Sequence, residues 1–331
     1  MGASTFGWGI VTPGRIAHRF AQAIEEVEGA RLHAVASRSA ERARDFARTY
    51  GASAHYDSVE ALARDPDVEA VYVASPHRFH HAQTRACLEA GKPVLCEKPF
   101  TVNVREAEDL IQLARTRGLF LMEALWSRTL PVWRQVRDWL DGGAIGPVMF
   151  LSSTFCFQAP RDPSDRKFNH ELAGGALLDL GVYNISLSEW VVGAPASAVS
   201  AIGRLGETGV DELTVATLAY PGPIVSQFAC SFLLDGANDF WIYGTRGRIR
   251  VHAKFWESTQ ATLAVDRQER LASFPFRRNG FEYQIEEAMR CIRGGRAESE
   301  AMTLGATLAN MRTMDQIREQ IGLRYSFEHS A

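Results

Sequence analysis

The first third of the chain alternates short apolar runs with amphipathic stretches. Runs of four to seven residues rich in Val, Ile and Leu predict buried strands, and they cover residues 6–11, 32–37, 68–74, 93–96 and 119–122. Between them, apolar residues recur at helical spacing, as in Ile16, Phe20, Ile24 and Val27. Strands that alternate with helices predict βαβ crossovers and a parallel sheet covered on both faces. We therefore predict a doubly wound α/β domain over residues 1–125.

The pattern changes after residue 125. A helix predicted over residues 131–140 ends in Asp141-Gly142-Gly143, and strand-like runs dominate from residue 148 onward. These runs cover residues 148–157, 198–205, 213–220, 224–232, 240–243, 249–252 and 262–265, and helices are predicted over residues 178–192, 281–292 and 302–322. Because the strands follow one another directly, they predict a large, mostly antiparallel sheet. Residues 126–331 should form a second, α+β domain, and its terminal helix is the element expected to pack back on the first domain.

Composition narrows the classes of function. The 331 residues carry 36 basic and 39 acidic side chains, a net charge of −3, so no excess of positive charge is present to bind nucleic acid. Every apolar run is shorter than the roughly 20 residues of a membrane span. The five cysteines are scattered and odd in number, and the first residues lack the basic and apolar segments of a secretory signal. We expect a reduced, cytoplasmic protein with no nucleic-acid or membrane partner.

The turn after the first predicted strand fits a dinucleotide-binding site. Aligned with the pattern Gly-x-Gly-x-x-Ala, Thr12 takes the first position, Gly14 the second and Ala17 the third. Gly14 lets the backbone approach a pyrophosphate, and the N-terminal end of the following helix attracts it. The same residues would also make an ordinary βα turn, but their place between the first strand and a helix favours the cofactor. The cofactor-binding residues predicted in this turn are Thr12, Pro13, Gly14, Arg15 and Ile16.

The end of the second strand indicates which dinucleotide binds. An NAD site usually has an acidic residue about twenty positions beyond the glycine turn, where it binds the ribose 2′-hydroxyl. This chain has Ser37 and Arg38 there, and Arg42 follows one turn later. A small hydroxyl donor and a guanidinium suit a 2′-phosphate, although a chance Arg at a solvated helix N-terminus is the alternative explanation. We predict that NADP(H) is preferred over NAD(H).

Candidate catalytic residues follow the fifth strand and recur in a later helix. The segment Cys96-Glu97-Lys98-Pro99 puts Lys98 just past the carboxyl end of a central strand, where a doubly wound sheet binds ligands. Asp179 and Tyr183 are four residues apart and share one face of the predicted helix. Each of these two signals also has a non-catalytic explanation, because a Lys before Pro is often a surface residue and an Asp/Tyr pair on a helix is often structural.

Two strings resemble the signatures of the Gfo/Idh/MocA oxidoreductase family. LEAGKPVLCEKP at residues 88–99 is similar to its central signature, GGALLDLGVY at residues 174–183 is similar to its second, and the resemblance extends over about residues 5–325. It implies a Rossmann domain, a second domain that binds substrate and oligomerises, and NAD(P)-dependent dehydrogenase or reductase chemistry at CH–OH groups. His77 stands where the family more usually has Asn. The resemblance assigns cofactor contacts to Ser75, Pro76, His77, His80, Glu97 and Lys98.

The last residue of the second signature divides the family. Members similar to inositol dehydrogenase have His there, whereas Tyr183 resembles glucose–fructose oxidoreductase and the dimeric dihydrodiol dehydrogenases, which also act as NADP-dependent D-xylose 1-dehydrogenases. The strings FLMEALWSR at residues 120–128 and GETGVDELT at residues 206–214 are similar to the latter subgroup. The resemblance therefore implies hydride transfer at a hydroxyl or carbonyl carbon of a sugar or cyclic diol. It also implies a homodimer paired through the large sheet.

The residue types suit this chemistry. Oxidising a hydroxyl by hydride transfer needs a base for the O–H proton, and a free Tyr, with a pKa near 10, is a poor base at neutral pH. The Lys98 ammonium and the positive nicotinamide ring would both favour tyrosinate and lower that pKa. We predict Tyr183 as general acid/base and Lys98 as its electrostatic partner, which also bonds the reacting oxygen. By resemblance, Asp179 orients the substrate hydroxyl or the Lys.

Aromatic side chains indicate where substrate binds. Aromatic side chains that line a pocket suit the apolar face of a sugar or cyclic diol, although most aromatic residues fill the protein core. The candidate substrate residues are Trp126, Phe155, Arg204 and Trp256, and Arg166 and Asn169 are further polar candidates before the second signature. The cluster of His77, His80 and His81 has no carboxylate at ligand spacing, so we predict no metal site.

Two alternative functions share parts of this pattern. One is an NADPH-dependent keto-sugar reductase acting on a nucleotide-linked sugar, which would need a groove for the diphosphate. The other is a non-catalytic NADP-binding regulator. Regulators of this kind tend to lose the Lys or the acid/base residue, and this chain has both Lys98 and Tyr183.

Overall fold

Two sheets organise residues 5–329, the part of the chain that the computed structural model describes. The chain divides into two compact units. The first comprises the residues up to Trp126 together with Phe276–Thr307, and the second comprises Ser127–Pro275 together with the residues from Leu308 onward.

The first unit contains a parallel sheet. Its strands are β1 (Phe6–Val11), β2 (Ala30–Ala36), β3 (Ala54–Tyr56), β4 (Ala70–Val73), β5 (Val94–Glu97) and β6 (Leu121–Ala124). The helices between them are α1 (Arg15–Ile24), α2 (Ala40–Tyr50), α3 (Val59–Ala63), α4 (His80–Glu89) and α5 (Val104–Arg117). The strand order is β3-β2-β1-β4-β5-β6, and every pairing is parallel. The order reverses between β1 and β4, and a doubly wound sheet binds its ligands at the carboxyl ends of the strands beside such a point.

An aromatic stack in the core links α1 to the end of β5. Phe20 of α1 stacks on Tyr72 of β4 with 3.8 Å between ring centroids, and it meets Trp8 of β1 edge-on at 5.3 Å. All three side chains are fully buried. The hydroxyl of Tyr72 donates a hydrogen bond to the carboxylate of Glu97. The apolar core thereby fixes the residue that precedes Lys98.

The second unit contains a larger mixed sheet. Its strands are β7 (Val148–Cys156), β8 (Ala198–Leu205), β9 (Asp211–Ala219), β10 (Val225–Ser231), β11 (Phe240–Gly244), β12 (Gly247–Val251), β13 (Gln260–Val265) and β14 (Gln268–Ser273). The order of these eight strands is β14-β13-β12-β11-β7-β10-β9-β8. All pairings are antiparallel except that of β7 with β10. The predicted fold class, a Rossmann sheet followed by an α+β domain with a large and mostly antiparallel sheet, is confirmed.

A buried helix runs through the second unit. Helix α6 (Pro131–Asp141) precedes β7, and α7 (Val182–Val192) directly follows a π-helical turn, Leu177–Gly181. Almost every residue of α7 is buried, and its polar side chains have buried partners: Asn184 donates to Ser153 at 2.8 Å, and Thr313 donates to Glu189 at 2.8 Å. Helices α8 (Glu282–Arg293), which belongs to the first unit, and α9 (Leu304–Ile321) complete the elements.

Three local expectations need correction. The single helix predicted over residues 178–192 begins as a π-helical turn, and β9 begins at Asp211, two residues earlier than predicted. Strands β3 and β14 were missed. β3 has only three residues and β14 is mostly exposed, so neither has an apolar run that would reveal it. Among the helices that the structure describes, none is long and apolar enough to span a membrane.

Candidate active site

A cleft of about 460 Å³ lies at the carboxyl ends of the strands in the first unit. Six residues that the sequence predicted to bind cofactor are among those lining it, namely Thr12, Ser37, Arg38, Arg42, Ser75 and Pro76. Five of them come from the turns after β1, β2 and β4, and Arg42 comes from the first turn of α2. The structure thus brings the predicted turn and the predicted 2′-phosphate residues to one cavity.

The turn after β1 leaves its backbone open to a ligand. Thr12 has a φ of 70°, the left-handed region that usually requires Gly, at a cost of about 1–3 kcal/mol for another residue. A Cβ added to Gly14 would meet its nearest neighbour, the Ala74 carbonyl oxygen, at 3.8 Å, so packing within the described chain does not demand a glycine there. A glycine at position 14 instead suits a ligand that approaches its backbone from outside the chain. No described side chain caps the start of α1, so its first N–H groups, including those of Arg15 and Ile16, are available to a diphosphate.

The corner after β2 carries two guanidinium groups. Arg42 donates to the Pro13 carbonyl oxygen at 3.3 Å, which ties α2 to the turn after β1. The guanidinium of Arg38 lies over the ring of Phe79, 5.5 Å from its centroid. Asp57, in the loop after β3, lines the same cleft. The sequence does not single out Asp57, because the expected place for a carboxylate in such a site is the end of the second strand.

His80 joins the two loops that border Lys98. Its ring is fully buried, with Nδ1 2.8 Å from the Pro99 carbonyl oxygen and Nε2 2.8 Å from the Ser75 carbonyl oxygen. The backbone N–H of Lys98 donates to Glu97 at 3.2 Å, and the Lys98–Pro99 peptide bond is cis. The loop after β4 and the turn after β5 are therefore held together through one imidazole.

The neighbouring histidines also have partners. The His77 ring is buried, with its centroid 5.9 Å from that of His80, and His81 lies 2.7 Å from a carboxylate oxygen of Asp109. The cluster of side chains in the described chain that could hold a metal ion is a different one, formed by His33, Asp65 and Asp67. Within that group, His33 and Asp65 already pair with each other at 2.9 Å.

In the second unit, an aromatic wall stands beside Tyr183. Tyr183 lies in the first turn of α7 and is almost fully buried. The ring of Phe155 is 5.7 Å from it and stacks on Trp256 with 3.4 Å between centroids. The backbone of Trp256 is fixed by Ser127, whose hydroxyl donates to its carbonyl oxygen at 2.5 Å. Two of the four predicted substrate residues, Phe155 and Trp256, are thus gathered around the predicted acid/base.

An ion pair holds Asp179. Asp179 lies in the π-helical turn and is buried, and Nη2 of Arg166 is 3.1 Å from its Oδ2. Short π-helical segments are frequent at functional sites. The sequence indicates Arg166 only as a further polar candidate for substrate binding. Its ion pair with Asp179 shows that it lies beside a predicted catalytic residue. Asn169, its companion there, contributes its backbone, since its carbonyl oxygen accepts from the N–H of Gly174 at 3.0 Å.

The other two predicted substrate residues lie in different surroundings. Trp126 belongs to the first unit, where its ring packs on Phe281 at 4.8 Å and lies under the guanidinium of Arg19. Arg204, on β8, lines a cavity of about 660 Å³ in the second unit together with Arg161, Phe168 and Phe232. Their contacts with substrate stay predictions.

Comparison with known proteins identifies the family. Residues 6–125 match the model of the oxidoreductase family with an NAD-binding Rossmann fold, and residues 133–250 match the GFO/IDH/MocA C-terminal domain. The chain belongs to the Gfo/Idh/MocA family. Over 331 residues it is 34% identical to trans-1,2-dihydrobenzene-1,2-diol dehydrogenase of Mus musculus, covering 96% of this chain and 97% of that protein. The Homo sapiens protein of the same name is 33% identical, with 96% and 97% covered.

Two solved structures have the same fold. A 3-ketoreductase from Actinomadura kijaniata, in complex with NADP and TDP-benzene, has a TM-score of 0.87 at 27% identity, covering 96% of this chain and 98% of that one. An aldose-aldose oxidoreductase from Caulobacter crescentus has a TM-score of 0.88 at 24% identity, with 96% and 97% covered. The protein is therefore an oxidoreductase of the Gfo/Idh/MocA family with an NAD(P)-binding Rossmann domain.

Proposed function

We propose that this protein is an NADP-dependent dehydrogenase that transfers a hydride between the nicotinamide and a hydroxyl or carbonyl carbon of a sugar or cyclic diol. The observation that carries the proposal is the aromatic wall of Phe155 and Trp256 beside Tyr183. Such a wall suits the apolar face of a pyranose or of a dihydrodiol ring. The similarity to trans-dihydrodiol dehydrogenases over nearly the whole chain supports the same substrate class.

The first unit is proposed as the cofactor-binding domain, and NADP(H) as its preferred cofactor. The left-handed Thr12, the room beside Gly14 and the uncapped start of α1 fit a diphosphate, and the guanidinium groups of Arg38 and Arg42 fit a 2′-phosphate. When bound, the nicotinamide accepts or supplies the hydride. Ser75 and Pro76, together with the His77, His80 and Glu97 side chains around them, are proposed to orient its ring.

The second unit is proposed to bind substrate and move the proton. Tyr183 takes the hydroxyl proton during oxidation and returns it during reduction. Asp179 orients the reacting hydroxyl, and Arg166 compensates the negative charge of this buried carboxylate at 3.1 Å. Lys98 supplies the positive charge that favours the tyrosinate form of Tyr183, and it donates to the reacting oxygen.

Steady-state kinetics with Tyr183→Phe test this assignment. The wild type is assayed for reduction of NADP⁺ and NAD⁺ with D-xylose, D-glucose, myo-inositol and a trans-dihydrodiol, beside Tyr183→Phe and a control, Tyr220→Phe, which alters another buried tyrosine of the same unit. We expect NADP-dependent turnover of xylose or the diol, lost in Tyr183→Phe and kept in the control, with NADPH affinity unchanged in both. Turnover that persists in Tyr183→Phe would refute the acid/base role.

A second candidate is an NADPH-dependent reductase of nucleotide-linked keto-sugars. The observation that favours it is the likeness to a 3-ketoreductase solved with TDP-benzene, together with the cavity of about 660 Å³ lined by Arg161 and Arg204. The guanidinium of Arg204 suits a diphosphate, and that of Arg161 would have to share its charge with the Glu212 carboxylate, which lies 2.8 Å away. Inhibition by TDP, with no turnover of free sugars or diols, would decide for this candidate.

The protein is proposed to act as a homodimer. The large sheet exposes apolar side chains that are cross-strand neighbours: Ile202 of β8 is 80% exposed and its partner, Val215 of β9, is 46% exposed. Leu271 on the edge strand β14 is 57% exposed. Large apolar side chains are more often shielded from solvent, and the same sheet of a second copy of the chain would shield these.

A further inference from the structure

A buried carboxylate touches the start of the segment that carries Asp179 and Tyr183. Asp211, the first residue of β9, is fully buried. Its Oδ2 accepts from the backbone N–H of Leu177 at 2.8 Å and from the hydroxyl of Thr214 at 2.8 Å. Leu177 is the first residue of the π-helical turn, which leads into α7 without a break. A helix start otherwise leaves such N–H groups without an acceptor.

The residues before Leu177 are shaped to admit this carboxylate. Gly175 has a φ of 127°, and a Cβ at this position would overlap Oδ1 of Asp211. The neighbouring Gly174 carbonyl oxygen accepts a hydrogen bond from the hydroxyl of Tyr325 at 2.5 Å. Tyr325 is also fully buried and comes from the C-terminal tail. Asp211 and Tyr325 therefore each hold one end of residues 174–177, the first at Leu177 and the second at Gly174.

Burial opposes the charge of the Asp211 carboxylate. Burial raises the pKa of Asp211 to about 6, while the bonds from Thr214 and Leu177 and the charge of Arg318 oppose the rise. The other ionisable groups that face it are the Tyr325 hydroxyl and the Cys230 thiol, both with pKa values raised by burial and by Asp211 itself. Folding therefore favours the protonated form, and the ionised form present at neutral pH destabilises the protein.

We propose that Asp211 and Tyr325 are positioning residues, which fix residues 174–177 and so set where Asp179 and Tyr183 meet the substrate. The inference rests on the proposed roles of those two residues. Neither Asp211 nor Tyr325 contacts substrate in this proposal. Their effect is on the rate of the chemical step, because a small misplacement of an acid/base group costs a large factor in rate.

Three variants and a matched control test the proposal. Asp211→Ala removes the acceptor of the Leu177 N–H, Asp211→Asn keeps an acceptor oxygen of the same shape, and Tyr325→Phe removes only the hydroxyl that binds Gly174. Thr214→Val is the control, because it removes a buried hydrogen bond from the same carboxylate without touching residues 174–177. For each we would measure kcat, the KM of both substrates, NADPH affinity by fluorescence titration, and the thermal unfolding midpoint.

We expect kcat to fall about 10- to 100-fold in Asp211→Ala and by a smaller factor in Tyr325→Phe. NADPH affinity should not change, because the cofactor cleft is built from residues of the first unit. Asp211→Asn should restore kcat to within about threefold of the wild type. Thr214→Val should lower the unfolding midpoint as much as Tyr325→Phe does while kcat stays at the wild-type value.

The outcomes separate this inference from the proposed function. A wild type without turnover on any of the sugars, diols or keto-sugars removes the proposed function itself. An active wild type, with folded Asp211→Ala and Tyr325→Phe proteins that keep their kcat, overturns the positioning role. If Asp211→Ala does not fold, Tyr325→Phe decides alone, since its ring remains in place and only one hydroxyl is lost. Equal losses of kcat in Tyr325→Phe and Thr214→Val would also overturn the proposal.

Discussion

Replacing Arg38 by Ala should weaken the binding of NADP(H) and leave the binding of NAD(H) unchanged. Arg38 directly follows Ser37 in the cleft at the end of β2, and its side chain is exposed there. Its guanidinium lies over Phe79, so the substitution removes one surface cation–π contact and no buried packing. The 2′-phosphate is the chemical difference between the two cofactors. A group that binds only this phosphate therefore changes one affinity and not the other.

The expected size follows from the kind of bond that is lost. A hydrogen bond to a charged partner contributes about 1.5–3 kcal/mol, which corresponds to a factor of about 10–150 in the dissociation constant. Because Arg38 is exposed, solvent screens the interaction, and the lower end of that range applies. We expect the dissociation constant of NADP⁺ to rise about tenfold. Because Arg42 remains in the cleft, we expect the variant to keep part of its preference for NADP⁺ over NAD⁺.

Titration calorimetry with NADP⁺ and NAD⁺ at fixed ionic strength measures both affinities. Arg44→Ala is the matched control, because Arg44 is an exposed Arg of the helix that follows Arg38, α2, and does not line the cleft. It removes the same formal charge, so it reports any general electrostatic effect. Two results would refute the reasoning: an unchanged NADP⁺ affinity in Arg38→Ala, or a parallel loss for both cofactors.

Two further predictions concern the second unit. Ile202→Glu should convert the proposed dimer into a monomer, because dimerisation would have to desolvate the new charge; light scattering of the eluted protein gives the mass, and a monomeric wild type contradicts the dimer. Burial raises the pKa of Glu189 from 4.5 to about 7. The contribution of Glu189 to the free energy of unfolding is therefore fully present below pH 4.5 and is lost as the pH rises through 7, by up to about 3 kcal/mol. Glu189→Gln should therefore unfold at higher urea concentration than the wild type at pH 8 and at the same concentration near pH 4, and equal midpoints at pH 8 would contradict this.

The fold and the position of the turn after β1 could be predicted because their signals are local. Each central strand of the first sheet is a continuous apolar run, since both of its faces are buried, and the turn after β1 follows at a fixed position. Asp57 could not be predicted in the same way, because it reaches the cleft from the loop after a three-residue strand. No periodic pattern marks that strand, so the sequence gives no sign of where its loop ends.

The arrangement around Asp179 depends on contacts between segments that are distant or irregular in sequence. A loop brings Arg166 to Asp179, and Asp211 reaches Leu177 across 34 positions. Two acidic residues ahead of an apolar run, here Asp211 and Glu212, are typical of a strand boundary, which is why the strand is predicted to start at Leu213. Only the folded chain shows that this carboxylate faces inward.

The first two glycines of the second signature illustrate how such contacts enter a sequence. A Cβ at Gly174 would lie 2.7 Å from the carbonyl oxygens of Arg166 and Lys167, so this glycine is what lets the loop carrying Arg166 pass close to the π-helical turn. Gly175, with its φ of 127°, makes room for the carboxylate of Asp211. Each glycine thus admits one of the two groups that hold the segment, the partner of Asp179 in one case and the acceptor for Leu177 in the other. The signature is explained by packing around the segment that carries Asp179 and Tyr183 as much as by the side chains that are proposed to meet the substrate.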